Sequence, residues 1–473
     1  MESVDVSVQL SVASFFVVTL CSDCQCEPVR TLAVSVFLRY RPEAARWEET
    51  VDAMSLEGKI ALLMSLAGDD REANPSVPLP PRLRHANDVG ALRPLNFRTV
   101  SAGRGRRTTL LRILMTNACS YNCHYCPMRR DRNMPRALLK PHELVRIFLE
   151  AKRRNWCEGL FITTAIPGRP VKVMDDLIEV LDLLRNTHHF TGYIHVKILA
   201  GAEAAQVERI TTLATRVSIN LEAPCGQTLS EIAPDKNYDT TIATLQRARS
   251  LVVHGQQLEA DGWRRNPLKP GATSGMTTQF VVGATADSDR MIVERVSELY
   301  AGGGIHHVHF SAFRPIRETP LETRAAVPAL REHRLYQTDY LLRYYGFEAR
   351  DLVYTDDGNL PLDRDPKVAW ALSHPDAFPV DVATASYRQL VRVPGIGVLT
   401  AKRIVAERHK TLIRDLSDLR KLGVQTTRAT GFLTLRGRKL GAGRWSEQLG
   451  FWSAGEDVGA YKRVYDVSPG TFR

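Results

Sequence analysis

The sequence predicts an α/β fold: a partial (β/α)6 barrel followed by a small all-α domain. Three observations carry that expectation. Apolar runs of strand length alternate with amphipathic helical stretches from Thr109 to Phe310. Three cysteines, Cys119, Cys123 and Cys126, stand in the loop after the first of those runs. Further on, a turn at Pro394-Gly-Ile-Gly397 separates two short helical patterns.

In chain order, the expected strands are Thr109–Met115, Gly159–Thr164, Gly192–Ile198, Arg216–Leu221, Thr277–Val282 and His307–Phe310. Between them lie helical patterns at Pro141–Arg154, Val173–Arg185, Ala202–Leu213, Thr240–Val252 and Asp287–Tyr300. Pro141 stands in a first turn, where its missing N–H costs nothing. Such alternation argues for a parallel sheet with helices outside it. Ahead of the barrel, Met54–Met64 is amphipathic with Ser55 as its N-cap, and Pro75–Pro81 reads as a linker. The expected division is residues 1–53 as an extension or upstream translation artefact, 54–104 as helix and linker, and 105–318 as the barrel. Residues 319–375 then form a helical connector, 376–428 the all-α domain and 429–473 a basic tail.

The chain has 473 residues, 44% hydrophobic and 24% charged, which excludes global disorder and fibrous architectures. No apolar run reaches 18 residues, so no spanning helix and no membrane partner are expected. A formal charge of +11 favours an anionic partner without naming it. The apolar stretch around Phe15 follows Glu2 and Asp5 where a secretory signal needs basic residues. Most of the eight cysteines fall in two tight clusters, which suits metal chemistry in a reduced, cytoplasmic setting better than a disulfide framework. Cys21-x-x-Cys24-x-Cys26 reads as part of the poorly ordered extension, and Cys157 and Cys225 as small buried hydrophobes.

Cys119-x3-Cys123-x2-Cys126 carries the chemistry. Three thiolates can wrap one face of a cubane, each taking one iron, and leave the fourth iron open to a small molecule. A zinc site is the alternative, with His124 inside the loop as a fourth ligand. With Tyr125 just before the last cysteine, the loop resembles that of the radical SAM superfamily. The resemblance implies a TIM-like radical SAM barrel and a [4Fe–4S] cluster whose open iron is chelated by S-adenosyl-L-methionine. One-electron reduction, from a donor such as ferredoxin or flavodoxin, then yields a 5′-deoxyadenosyl radical that abstracts hydrogen. The Gly-Gly-Glu segment common after the second strand is replaced here by Thr163-Thr-Ala-Ile-Pro-Gly168, so backbone carbonyls are expected to meet the methionine amine.

In barrels of this type chemistry sits at the C-terminal ends of strands. That selects Thr163, Thr164, Lys197, Asn220, Glu222, Gln279 and Gly283 as candidate cofactor contacts, with Ser311 and Arg314 beside them. Gly283 would let the backbone approach adenine. No catalytic residue is singled out. The tyrosines and arginines of residues 333–345 suit either base stacking or helix packing.

The second motif is Pro394-Gly395-Ile396-Gly397 with Ala401, Lys402 and Arg403 behind it. Glycines in such a turn free successive N–H groups to face an anion, and residues 386–428 hold ten basic against three acidic side chains. The pattern resembles a helix-hairpin-helix module, which grips DNA phosphates without reading bases. Together with Ala233-Pro-Asp-Lys236, His333-Arg-Leu-Tyr-Gln337 and Pro379-Val-Asp-Val382, the two motifs resemble the DNA modification/repair radical SAM proteins. That family implies a DNA or RNA substrate and is often associated with a uracil-DNA glycosylase-like partner. The alternatives are a DNA-binding protein with a structural or redox-sensing cluster, or a radical enzyme modifying tRNA or protein.

Overall fold

In the computed structural model, residues 54–67, 97–101, 107–264 and 266–440 are described, all within one compact unit, Glu43–Arg473. The Cys21–Cys26 cluster, the Pro75–Pro81 linker and the tail beyond residue 440 lie outside the described residues. The first helix, α1 (Leu56–Ala67), is capped as expected, with Gly58 N–H donating to Ser55 Oγ at 3.2 Å.

A seven-stranded sheet runs in chain order: β1 (Phe97–Ser101), β2 (Arg107–Leu114), β3 (Gly159–Thr163), β4 (Ile194–Lys197), β5 (Arg216–Ser218), β6 (Met276–Val282) and β7 (Ile305–Ala312). Strands β2 to β7 are parallel, six strands forming a half-barrel, and β1 adds an antiparallel edge that the sequence pattern did not show. Helices α2 (Pro141–Arg153), α3 (Pro170–Asp182), α4 (Ala204–Leu213), α5 (Gly226–Ile232), α6 (Tyr238–Ala260) and α7 (Asp289–Ala301) make the crossovers.

Local chemistry sets the helix ends. Pro141 opens α2, and Glu143 reaches back to Lys140 N–H at 2.8 Å. A five-residue π-helical turn, Leu183–Thr187, follows α3 where the fully buried Arg185 donates to the carbonyls of Leu213 and Gly192 at 2.9 Å. Helix α6 runs eight residues past the expected Val252, because its apolar face stops there while helix-forming Gln, Leu, Glu and Ala continue. Helix α5 was not foreseen, since seven residues give too few turns for a periodic signal.

Alternation along the strands separates two faces. Leu111, Ile113, Leu160, Ile162, Ile194, Val196 and Val217 pack against the helices. Arg112, Phe161, His195 and Arg216 are successive register partners on the concave face. Arg112 lies 4.6 Å over the Phe161 ring, which meets His195 edge-on at 4.6 Å.

This polar interior makes stability pH-dependent. Burial, reinforced by Arg216, holds His195 well below the ordinary histidine range and His306 at about 3, and burial with His309 depresses His307. These rings fold neutral. Below pH ~6.5 the unfolded chain binds protons the native state refuses, so stability is full above that pH and falls beneath it, by up to ~1.4 kcal/mol per pH unit for each ring. Melting temperature should therefore drop between pH 7.5 and 5.5, less so in His306→Gln; a flat profile would contradict the assignment.

Beyond the barrel, α8 (Ala329–Tyr344) packs on β7, with the Tyr336 hydroxyl 3.1 Å from both Phe310 N and O. Tyr340 and Tyr344 flank Arg343, so these rings serve packing rather than exposed stacking. After α9 (Pro366–Ser373) the chain is not all-α as expected. A three-stranded sheet of β8 (Val380–Asp381), β9 (Leu433–Leu435) and β10 (Arg438–Lys439) ties helices α10 (Tyr387–Arg392), α11 (Val398–Glu407), α12 (Leu416–Lys421) and α13 (Thr426–Ala429) together. The Asp381 carboxylate fixes the corner by accepting from Ala383 N at 2.8 Å and Gly437 N at 2.7 Å. Strands of two or three residues carry no period to read. Among the described residues no helix is long and apolar enough to cross a membrane.

Candidate active site

The cysteine loop leaves the C-terminal end of β2 and is closed on itself by polar side chains. Thr116 pairs with Leu138 across an antiparallel bridge. The Asn117 amide imitates a strand, donating to Pro135 O at 2.9 Å and accepting from Ala137 N at 2.7 Å. Arg136 lies beneath, 3% exposed, and donates to the carbonyls of Asn117 (2.7 Å), Met128 (2.8 Å), Arg129 (2.6 Å) and Arg132 (2.9 Å). One planar guanidinium thus gathers both ends of the loop. Nothing in the sequence marked Arg136 or Asn117.

Cys119, Cys123 and Cys126 are free thiols, Cys123 buried and the others half-buried. Burial pushes Cys123 up to about 11 against the pull of Lys236, and burial with the neighbouring thiols pushes Cys126 up as well. Buried thiols of this kind become thiolates when a metal takes the charge. Cys157 lies in the helix-packed core and Cys225 beside Thr228 at the start of α5, so neither supplies a fourth thiol to the loop. The His124 ring is fixed by its Nδ1, 2.8 Å from Glu231 O. The loop offers three thiols, and a cubane takes each thiolate on a different iron, where a structural zinc ion takes four ligands. The three loop thiols fit the three-ligand pattern of a four-iron cluster with one open iron.

The loop is docked on residues 231–236, the segment carrying Ala233-Pro-Asp-Lys236. His124 N donates to Ile232 O at 2.7 Å and Asn122 N to Asp235 at 2.6 Å. Lys236 then reaches Glu222 Oε1 at 2.9 Å and Tyr125 Oη at 3.4 Å. Burial alone would lower Lys236, but Glu222 and the Cys123 thiol outweigh it and raise it. Tyr125 is raised by burial and by Glu222.

Of the other strand-end residues, Thr163, Lys197 and Gln279 share the concave-face parity of Phe161, His195 and Arg216, whereas Asn220 and Glu222 lie beyond the end of β5, with Glu222 bridged to Phe280. Asn220 Nδ2 meets Gln279 Oε1 at 3.4 Å, and Glu222 N donates to Gln279 O at 2.8 Å. Thr164 is out of phase, its hydroxyl donating to Ala165 O at 2.8 Å. The carbonyls of Thr163 and Ile166 already accept from Met115 N and Ser120 N, so this segment braces the cysteine loop. Gly283 has φ +77°, and a Cβ there would come 2.3 Å from Val327. Both the positive φ and the packing of Val327 require glycine at this position. Ser311 is half-buried on β7 and Arg314 exposed just beyond it.

The Pro394–Gly397 turn joins α10 and α11. Gly395 has φ +81°, and a Cβ would sit 2.6 Å from Gln425 O, so packing requires glycine here too. Pro394 and Ile396 are buried, and Ile396 O accepts from the buried Lys367 Nζ at 2.6 Å; these two residues hold the turn from within instead of forming its outer surface. Gly397 caps α11 without a side-chain bond, and Lys402 and Arg403 are exposed one turn on. Three of the ten basic residues face inward: Arg392 to Asp351, Arg408 to Ala385 O and Arg428 to Asp365.

Residues 113–255 match the family described as the Radical SAM superfamily. No curated protein matches the chain. Among the solved structures that match is the FeFe-hydrogenase maturase HydG from Carboxydothermus hydrogenoformans, 15% identical with a TM-score of 0.38, over 48% of this chain and 50% of that one. Methylornithine synthase PylB is 11% identical with a TM-score of 0.36, over 49% and 60%. The radical S-adenosylmethionine methyltransferase TsrM from Kitasatospora setae, solved with cobalamin and a [4Fe–4S] cluster, is 11% identical with a TM-score of 0.32, over 47% and 39%. The chain spans about half the length of these proteins. Members of the superfamily are enzymes that use a [4Fe–4S] cluster and S-adenosylmethionine and draw on an electron donor. The three-cysteine loop, set at the end of the first parallel strand of a half-barrel, lies within the residues that match the Radical SAM superfamily.

Proposed function

We propose that the protein is a radical SAM iron–sulfur enzyme that acts on nucleic acid, in modification or repair of DNA. The observation that carries the enzyme reading is the cysteine loop itself, three thiols with no fourth beside them among the described residues, gathered by Arg136 beside the strand ends. In this reading Cys119, Cys123 and Cys126 hold the cluster, which supplies the electron for reductive cleavage of S-adenosylmethionine. Asn220, Gln279 and Lys197 line the concave face near the cofactor, and a one-electron donor docks from outside.

The nucleic-acid reading rests on α11. Its first N–H groups, at Val398 to Thr400, have no side-chain cap, and the exposed Lys402 and Arg403 add charge beside them. As a helix-hairpin-helix grip this surface would hold phosphate without reading sequence. A base within a duplex cannot reach a barrel interior, so the target nucleotide is flipped out or single-stranded. A uracil-DNA glycosylase-like partner belongs to the same reading.

Binding of a fluorescent oligonucleotide across a salt series tests it. Wild-type affinity should fall steeply with salt. Lys402→Ala combined with Arg403→Ala should weaken binding about tenfold and flatten the log–log slope by about 2. Salt-independent or absent binding by the wild type would overturn the nucleic-acid reading while leaving the cluster chemistry in place.

A further inference from the structure

We propose that the Lys236–Glu222 pair sets the reduction potential of the cluster, Lys236 favouring the added electron and Glu222 opposing it. The inference rests on the assignment of Cys119, Cys123 and Cys126 as cluster ligands. It goes beyond that assignment by giving a redox role to two residues that are not ligands.

The pair is placed with more care than a fold requires. Both side chains are withdrawn from water, Lys236 18% and Glu222 6% exposed, and their charged atoms lie 2.9 Å apart. A buried ion pair is a poor stabilising device, since apolar residues of the same size serve packing as well or better. Lys236 is also fixed relative to the thiols. His124, between Cys123 and Cys126, is bonded through its backbone to Ile232, and its ring to Glu231. Asn122, just before Cys123, is bonded to Asp235. Tyr125, just before Cys126, brings its hydroxyl within 3.4 Å of Lys236 Nζ. Glu222 in turn occupies φ +66°, a left-handed conformation disfavoured for a residue with a side chain, while its backbone stays bonded to Gln279 and Val281. Cys123 packs in one cluster with Ala223 and Ala233, the neighbourhood of both charged residues.

Reduction adds one electron to the cluster, [4Fe–4S]2+ to [4Fe–4S]+, with no bond made and no proton taken up. In a dry site the extra negative charge is stabilised by a nearby ammonium and destabilised by a nearby carboxylate, and cluster potentials respond to local charge and exposure in this way. The two residues must therefore act with opposite signs. A purely structural role has no reason to do so.

The test is a redox titration of the anaerobically reconstituted full-length protein, following the reduced cluster by electron paramagnetic resonance. At the wild-type midpoint Lys236→Met should hold about tenfold less reduced over oxidised cluster, a shift of ~59 mV to more negative potential. Glu222→Gln should shift about as far the other way, Lys236→Arg should stay near wild type, and the Lys236→Met/Glu222→Gln double variant should return toward it. Unmoved potentials, or both single variants shifting in the same direction, would overturn the proposal. Should Lys236→Met fail to assemble a cluster, the sign of the Glu222→Gln shift decides alone. A wild-type protein without a four-iron cluster, or a Cys123→Ala variant that keeps one, would instead overturn the ligand assignment.

Discussion

Replacing Cys123 with alanine should abolish the cluster while leaving the fold standing. The wild-type chain, reconstituted without oxygen, is expected to hold about four iron atoms at this site, and the variant close to none. Cleavage of S-adenosylmethionine should fall below ~1% of wild type. The fold should survive because the substitution removes one sulfur atom from the small apolar cluster that holds Cys123, at a cost of about 1 kcal/mol. Cys157→Ala provides the contrast. Its thiol lies in the helix-packed core, so stability should drop by a similar amount with iron content unchanged. Iron retained by Cys123→Ala, measured by iron and sulfide content, would remove the loop from the chemistry.

The second large effect concerns Arg136. Its guanidinium satisfies four loop carbonyls, and Arg136→Met would strand them in a site that water reaches poorly. Losing a buried charged donor with several acceptors typically costs about 3–5 kcal/mol. That loss should appear locally, since the bonds tie the cysteine loop to itself rather than to the sheet. Amide exchange across residues 117–136 should accelerate by roughly a hundredfold or more, while the strands keep their protection. Iron loading should fall several-fold. Lysine should not rescue, because one ammonium cannot span carbonyls that a planar fork reaches at once. Wild-type protection and iron content in Arg136→Met would show that the loop is held by other means.

The half-barrel was legible because parallel strands buried on one face and lined on the other read as short apolar runs. Their crossovers, α2 to α4 and α7, are amphipathic enough to show their period. The cysteine loop was legible because its three cysteines are local, spaced within eight residues. What stayed hidden is non-local or too short. Arg136 looks like any basic residue in a basic loop until the chain closes over it. Glu222 and Lys236 are 14 positions apart, and α5 must fold between them before they meet. The close neighbours of Gly283 and Gly395, Val327 and Gln425, come from distant segments and so could not be read locally. The β8–β9–β10 sheet joins residues more than fifty positions apart through strands of two or three residues, below any readable period.

The most direct measurement is 5′-deoxyadenosine formation by the reconstituted, dithionite-reduced protein given S-adenosylmethionine, with single-stranded DNA, tRNA or no polymer. The account predicts product that disappears in Cys123→Ala and rises several-fold with DNA. Product that ignores DNA but rises with tRNA would move the substrate and keep the enzyme. No product from a fully loaded cluster would contradict the central claim and leave a DNA-binding protein with a structural or redox-sensing cluster.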